Sequence, residues 1–396
     1  MNLTGWQERT APRPFADRLL GDWGGQRTKL AQRGMSFDIS YAAFTQGLFS
    51  GSGSKEFEFG NRFDFSTTLD TTKLGWWKGG YIRFHAEYFG GDLSSNLGGA
   101  VLPTNAGMKL PIDGKDQLTI SNLALTQAFN PTTTVTLGRI NTVDLLGGDP
   151  FFGGNGNTRF QHLAFVAPPN GLFPPVLYGA IYNQATAPLG YSLVVFDPND
   201  QTQESFPRGL FRDGVSVSGS LKYSKLTAGR PTTYTLTAIY SSADSLDLRD
   251  ALLPPGFATR SKEDSWHGSL QVGHVLRQYA DRPQANVSLA LKAGVSDGNP
   301  NPYQSFVTGG VIGRGTQRTR PNDSFGFGYF RYQFSRDLRQ VAAPLLRIRS
   351  EEGFEAFYDY ALGPGVGLTF DLQYVKPADG RRDNVFAGGL RLTFRF

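Results

Sequence analysis

The last stretch of the chain alternates: Phe386, Leu390, Leu392, Phe394 and Phe396 fall on one side of an extended segment, and Arg391, Thr393 and Arg395 on the other. Side chains on a strand repeat every two residues, so this segment has one apolar and one polar face. The same period recurs where Phe57, Phe59, Phe63 and Phe65 alternate with Glu58, Arg62 and Asp64, and where Val215, Val217, Leu221 and Tyr223 alternate with Ser216, Ser218, Ser220 and Lys222. Gly, Pro, Asn and Asp clusters bound such runs. Read this way, the chain predicts sixteen strands, at 36–47, 57–70, 79–89, 117–129, 132–140, 175–184, 189–196, 212–224, 232–243, 264–279, 285–295, 303–313, 323–335, 349–360, 365–375 and 384–396. Segments 117–129 and 323–335 alternate poorly, and their pattern leaves Phe325, Phe327 and Tyr329 free to face either way.

The connections alternate as well. Tight ones at Asn130-Pro131, 186–188, 227–231, 280–283 and 361–364 are separated by long ones, chiefly 90–116, 141–174, 197–211 and 244–263. Segment 314–322 belongs with the tight set but is longer and more basic. An even strand number with short turns at one end and long loops at the other predicts an all-β fold, a transmembrane antiparallel β-barrel of about 16 strands. Residues 17–34 have Arg27 and Leu30 at helical spacing and Gly34 as a stop, a short N-terminal helix before the barrel. The expected organisation is a periplasmic N-terminal segment, 1–35, and a barrel, 36–396, with the long loop 141–174 folded inward.

Charge parity assigns the faces, because a Lys or Arg against lipid at the midplane costs about 2–4 kcal/mol. The lumen then receives Arg62, Asp64, Arg83, His85, Glu87, Lys222, Lys292, Glu355, Asp359, Asp371, Gln373, Arg391 and Arg395. Six of these are Lys or Arg and five are Asp or Glu. Such a balance suits a neutral, hydroxyl-rich solute that trades hydration for transient hydrogen bonds. Loop 141–174 adds Asp144, Asp149, Asn155 and Arg159 at the constriction, with Phe151 or Phe152 offering a ring to a sugar. The alternative is an external loop that shields the barrel mouth. Trp76, Trp77 and Trp266 fall at strand ends, where an interfacial girdle competes with sugar stacking.

Composition agrees. Hydrophobic residues make up 39% and mean hydropathy is −0.31, with no apolar run of the roughly 18 residues a spanning helix needs. The 49 glycines, 31 phenylalanines and 16 tyrosines fit tight turns and aromatic interfaces. The absence of cysteine fits an oxidising compartment. A net charge of +5 without a basic run does not imply nucleic acid. Met1 to Asp17 is polar and reads as the start of a mature chain carrying an initiator Met. The four histidines, His85, His162, His267 and His274, show no metal spacing, and His85-Ala86-Glu87 lacks the cysteines of a zinc deaminase. No catalytic residue, metal or cofactor is expected. A soluble β protein that binds carbohydrate is the rival class.

The run Leu20-Gly21-Asp22-Trp23-Gly24-Gly25-Gln26-Arg27-Thr28-Lys29-Leu30, followed by Arg33-Gly34 and Phe37, resembles the N-terminal signature of the OprB-type carbohydrate-selective porins. The likeness recurs in Leu137-Gly138-Arg139, in Asp323-Ser324-Phe325-Gly326-Phe327-Gly328, and from Glu355-Ala356-Phe357-Tyr358 to the terminal strand; the proline-rich middle, 168–214, departs from it. The resemblance implies a sixteen-stranded outer-membrane barrel of a Gram-negative bacterium that passes glucose and similar monosaccharides by facilitated diffusion. It also implies pore arginines, carried here by Arg83 and Arg139, and insertion by barrel-assembly machinery that reads the strand ending in Phe396. Expected partners are sugar solutes and outer-membrane lipid, with oligomers possible. An outer-membrane channel for small organic acids or aromatic compounds is the alternative.

Overall fold

The computed structural model describes residues 15–111, 116–204, 207–254 and 257–396. Its strands run β1 (Met35–Ser50), β2 (Glu58–Asp70), β3 (Gly80–Gly91), β4 (Gln117–Asn130), β5 (Thr133–Asn141), β6 (Val176–Gln184), β7 (Leu189–Phe196), β8 (Ser216–Thr227), β9 (Arg230–Ser241), β10 (Ser245–Leu246), β11 (Ser261–Lys262), β12 (Ser265–Tyr279), β13 (Arg282–Ser296), β14 (Tyr303–Arg314), β15 (Ser324–Phe334), β16 (Glu351–Gly363), β17 (Val366–Lys376) and β18 (Val385–Arg395). The pair β10 and β11 stands apart as a small external hairpin; the other sixteen close into one antiparallel barrel. Closure comes where β18 returns to β1, with Ser40 opposite Arg395 and Gly47 opposite Gly388, so no edge is left unpaired. Among the described residues, no helix is long and apolar enough to cross a membrane.

Met35 and Arg395 lie at the same end of the barrel, and the short turns gather there. The basic segment between β14 and β15 belongs to this end despite its length. Arg320 folds it back onto Asp323 (2.9 Å), whose carboxylate also accepts the Tyr358 hydroxyl (2.6 Å). The long connections, L2 (92–116), L3 (142–175), L4 (197–215) and L5 (242–264), leave the opposite end.

Both poorly alternating strands have a physical reason. In β4 the register slips between its pairs with His85 and Ala86, so Ser121 and Asn122 are both buried while Leu118, Ile120, Leu123 and Leu125 are exposed. This is a β-bulge, and it swaps the parity of the strand midway. In β15, Phe327 is exposed and Tyr329 packs on the outer Phe354, whereas Gly326, Gly328, Phe330 and Tyr332 point inward. Here the inner face is the apolar one.

That inner face exists because L3 folds into the barrel. Phe151, Phe152, Phe160 and Phe165 of L3 join Phe306, Phe330, Tyr332 and Phe357 of the wall in one buried cluster inside the barrel. Phe160 meets Phe357 edge-on at 4.9 Å, and His162 stacks on Phe330 at 4.2 Å. Phe151 and Phe152, expected to offer a ring to a sugar, are instead 1% exposed in this core. The rings fit because Gly326 and Gly328 leave room: a Cβ at Gly328 would lie 2.5 Å from Phe165, and one at Gly326 2.3 Å from Phe357 and 2.9 Å from Phe160.

The N-terminal signature has an equally local account. Trp23, Gly24 and Gly25 take positive φ values of 52°, 63° and 89°, which reverse the chain into a helix at Gln26–Gln32. Asp22 accepts the Thr28 backbone N–H (2.9 Å) and hydroxyl (2.7 Å), and Gly34 ends the turn at φ 96°. Arg27 packs on the rings of Phe15, Trp23 and Phe37 and donates to the Phe396 carbonyl (2.6 Å) and the Phe37 carbonyl (2.9 Å). The segment is therefore bolted to both strands of the barrel seam. The expected start of the mature chain, through Pro14, lies outside the described residues.

Replacing Gly328 by Val puts a branched side chain where the Phe165 ring sits. The barrel is expected to fold, shown by a heat-dependent shift on denaturing gels, while L3 becomes cleavable by protease and single-channel conductance rises by about half. Unchanged conductance with L3 still protected would contradict the packing.

Candidate pore constriction

The inner faces of β2 and β3 carry alternating charges that strand pairing sets side by side: Asp64 lies opposite Glu87, and Arg83 and His85 follow on β3. Arg62 donates to Asp64 (2.8 Å) and to Glu87, and reaches the carbonyls of Leu110 in L2 (2.8 Å) and Asn155 in L3 (3.2 Å). One guanidinium thus ties the wall to both inward loops. His85 bridges Asp64 (3.2 Å) and Asp144 (3.0 Å), and Asp144 also pairs with Arg83 at 3.0 Å. Burial alone would raise the Asp144 carboxyl, but Arg83 and then His85 outweigh it and hold it well below the usual carboxylate range. Asp64, His85 and Glu87 lie close enough to share a cation, with candidate ligand atoms within 4.8 Å of one another. Arg62 already supplies that positive charge, so the geometry favours an ion-pair network over a metal site.

Across β1, the wall of β16 to β18 anchors L3 by the same means. Arg391 donates to the Gly156 carbonyl (2.6 Å), the Arg159 carbonyl (2.9 Å) and the Thr369 hydroxyl (2.9 Å). Glu355 accepts the backbone N–H groups of Gln161 (2.5 Å) and His162 (3.0 Å). Gln373 joins Asp371 (2.8 Å) to the Thr104 carbonyl of L2 (2.9 Å). Burial lowers the His162 imidazole to about 3, so it stays neutral on Phe330.

The sequence-predicted residues therefore separate into groups. Arg62, Glu87, Glu355, Asp371, Gln373 and Arg391 face inward but are 0–2% exposed. Arg62, Glu355, Gln373 and Arg391 bond directly to L2 or L3, and Glu87 and Asp371 bond to Arg62 and Gln373 beside them. This corrects the expectation that they touch solute: the four that reach the loops are anchors, because carbonyls and N–H groups of an inward loop need partners that water would otherwise provide. Asp64, Arg83, His85 and Asp144 sit at the edge of the covered network, each buried. Asp149, Asn155, Arg159, Lys222, Lys292 and Asp359 face the interior and keep partial exposure. Among these, Asp149 accepts from Gln271 (2.6 Å), Asn155 donates to Asp144 (3.4 Å), and Arg159 donates to the carbonyls of Asp149 (2.6 Å) and Phe152 (3.0 Å).

Arg139 is a correction of a different kind. It pairs with the exposed Leu123 and with Tyr178, which places it on the outer face of the barrel. L4 wraps down over it: the guanidinium donates to the carbonyls of Thr202 (2.7 Å) and Glu204 and stacks on Tyr178. Trp76 and Trp77 likewise lie on the turn after β2 and stack on each other, whereas Trp266 is exposed on β12. Reading the sequence missed Asn157, which donates to Asp64 (3.0 Å), and Asn141, which donates to Ser121 (3.2 Å) and Glu87 (3.3 Å). It also missed the inward course of L2, whose Asn105 donates to Gln161 of L3 (3.1 Å). The signal for Asn141 lay in the bulged Ser121-Asn122 pair that it meets.

Removing one partner of a buried charge pair costs about 3–5 kcal/mol. Asp144→Ala is accordingly expected to loosen L3 and raise single-channel conductance about 1.5-fold, whereas Arg139→Ala leaves conductance unchanged. A conductance change with Arg139→Ala and none with Asp144→Ala would reverse this assignment of faces.

Comparison with known proteins agrees with this architecture. The chain is 24% identical over 97% of its length to Porin B of Pseudomonas aeruginosa, covering 92% of that protein. It is 23% identical over 96% of its length to the protein named "Putative porin QuiX" of Acinetobacter baylyi, covering 93% of it. The high-pH structure of Pseudomonas putida OprB superposes with a TM-score of 0.82 at 20% identity, over 96% of this chain and 99% of that one. The family described as "Carbohydrate-selective porin, OprB family" matches residues 56–396. With its closed sixteen-stranded barrel, the chain belongs to the carbohydrate-selective porins of the OprB family.

Proposed function

We propose that this porin lets glucose and similar monosaccharides diffuse passively across the outer membrane of a Gram-negative bacterium. The observation that carries the reading is the inward packing of L3, which narrows the lumen and leaves Asp149, Asn155 and Arg159 partly exposed on it. Donors and acceptors of that kind replace a sugar's hydration one bond at a time, and weak binding lets the solute leave. In this reading residues 1–35 stand on the periplasmic side, the outward aromatic and aliphatic side chains meet lipid, and the strand ending in Phe396 is what the insertion machinery reads. Selectivity resides in passage through the constriction, with no reaction step.

Swelling of proteoliposomes compares solutes directly. Glucose is expected to swell them several-fold faster than succinate or benzoate. Equal rates would reduce the protein to a general pore, and faster swelling by the acids would favour a channel for organic acids or aromatic compounds.

A further inference from the structure

The interior charges do not cancel on the part of the lumen that stays open. Most inward carboxylates are already satisfied: Asp64 and Glu87 share Arg62, Asp144 takes Arg83 and His85, and Glu355 takes backbone N–H groups of L3. Asp38, near the end where β1 begins and β18 stops, pairs with Arg18 at 2.5 Å. The cations between L3 and that end are placed differently. Strand pairing puts Lys222 opposite Thr235, Lys292 opposite Gln271, Arg314 opposite Ser324, and Arg395 opposite Ser40, all on the inner face. Among the described residues, none of these four side chains has an ion pair or a side-chain hydrogen bond.

Arg159 adds a fifth cation, because its guanidinium donates only to carbonyls of its own loop. Arg159 lies near Asp149, which attracts it, and near Arg314, which repels it; Arg395 lies among Arg18, Asp17, Arg314 and Asp359. Against the five cations stand two inward carboxylates. Asp149 accepts from Gln271 and from the backbone N–H groups of Phe151 and Phe152, and Asp359 accepts from Thr369. Five cations facing two carboxylates leave an excess of positive charge, which attracts an anion from solution. Hydroxyl and amide groups lie among them: Ser220 and Thr237 (2.9 Å apart), Thr235 and Gln271.

We propose that the lower lumen is a cation track, Arg159, Lys292, Lys222, Arg314 and Arg395, that favours sugar acids: monosaccharide-sized polyols bearing one carboxylate. This rests on the sugar-channel reading and names the solute class within it. The cations are spread over four strands and a loop and do not converge, so a carboxylate passes from one to the next without a deep well. Convergent arginines would be the mark of a phosphate site.

The test uses the full chain in proteoliposomes, with labelled gluconate, glucose and glucose 6-phosphate supplied at equal concentration and the membrane potential clamped at zero. Gluconate is expected to enter about threefold faster than glucose at low salt, and the advantage to fade at 0.5 M KCl, where the screening length is only about 4 Å. The Lys292→Gln/Arg314→Gln variant should bring the gluconate-to-glucose ratio to about one. Lys222→Gln/Lys292→Gln, on strands away from the turn after β14, carries the test if the first variant does not fold. A wild-type ratio at or below one, a ratio indifferent to these substitutions, or a larger gain for glucose 6-phosphate would overturn the track. Retained selective glucose entry with no anion preference sinks the track alone. Gluconate entry with glucose excluded sinks the proposed glucose channel while leaving the track.

Discussion

Two buried arginines make this barrel a narrow passage. A loop drawn into a barrel carries its backbone with it, and each carbonyl taken from water needs a donor. Arg62 on β2 and Arg391 on β18, both fully buried, supply those donors from the two strands that flank β1. Arg62 holds carbonyls of Gly107, Leu110 and Asn155, and Arg391 those of Gly156 and Arg159. L2 and the tip of L3 are thereby pinned between β2 and β18. Arginine suits the task because its fork spreads several donors over one planar group that stays charged.

The pins divide the inner surface by chemistry. On the side of β14 to β18, the wall presents Phe306, Phe330, Tyr332 and Phe357, and L3 seals it with its own aromatic rings. Polar anchors such as Glu355 and Gln373 are consumed there, so the part of that wall under the loops is closed to solute, while Arg314 and Arg395 stay exposed beyond it. The side spanned by β8 to β13 keeps its hydroxyls, Gln271 and the lysines. In the proposed track the expected neutrality of the lumen gives way, and strand pairing says why. Carboxylates concentrate in the network beneath the loops, and several cations lie outside it.

Much of the barrel was legible in the sequence because a strand repeats every two residues and lipid tolerates few charges. The terminal strand, β8 and β2 place Arg391, Lys222 and Arg62 inward, as their alternation predicts. Period fails where the backbone inserts a residue, as at Ser121 and Asn122, or where the inner face is itself apolar, as in β15. Arg139 was illegible for another reason: near the rim a loop can fold over the outer wall and shelter a charge, so charge no longer reports the face. No period within one strand shows which inward side chains a distant loop will cover. That is why Glu355 and Gln373 read as pore residues and stand as anchors. The glycines of β15 carried the missing information, since an inward glycine pair marks the space another ring must fill.

The seat of L3 inside the barrel is tested most directly by a single thiol. The chain has no cysteine, and Thr158 is exposed on the L3 tip that Arg391 and Arg62 pin. Modifying Thr158→Cys with a bulky thiosulfonate in a planar bilayer should cut the single-channel current in discrete steps, by about half. Complete labelling, verified by mass spectrometry, with the current unchanged would place L3 outside the passage and contradict the account.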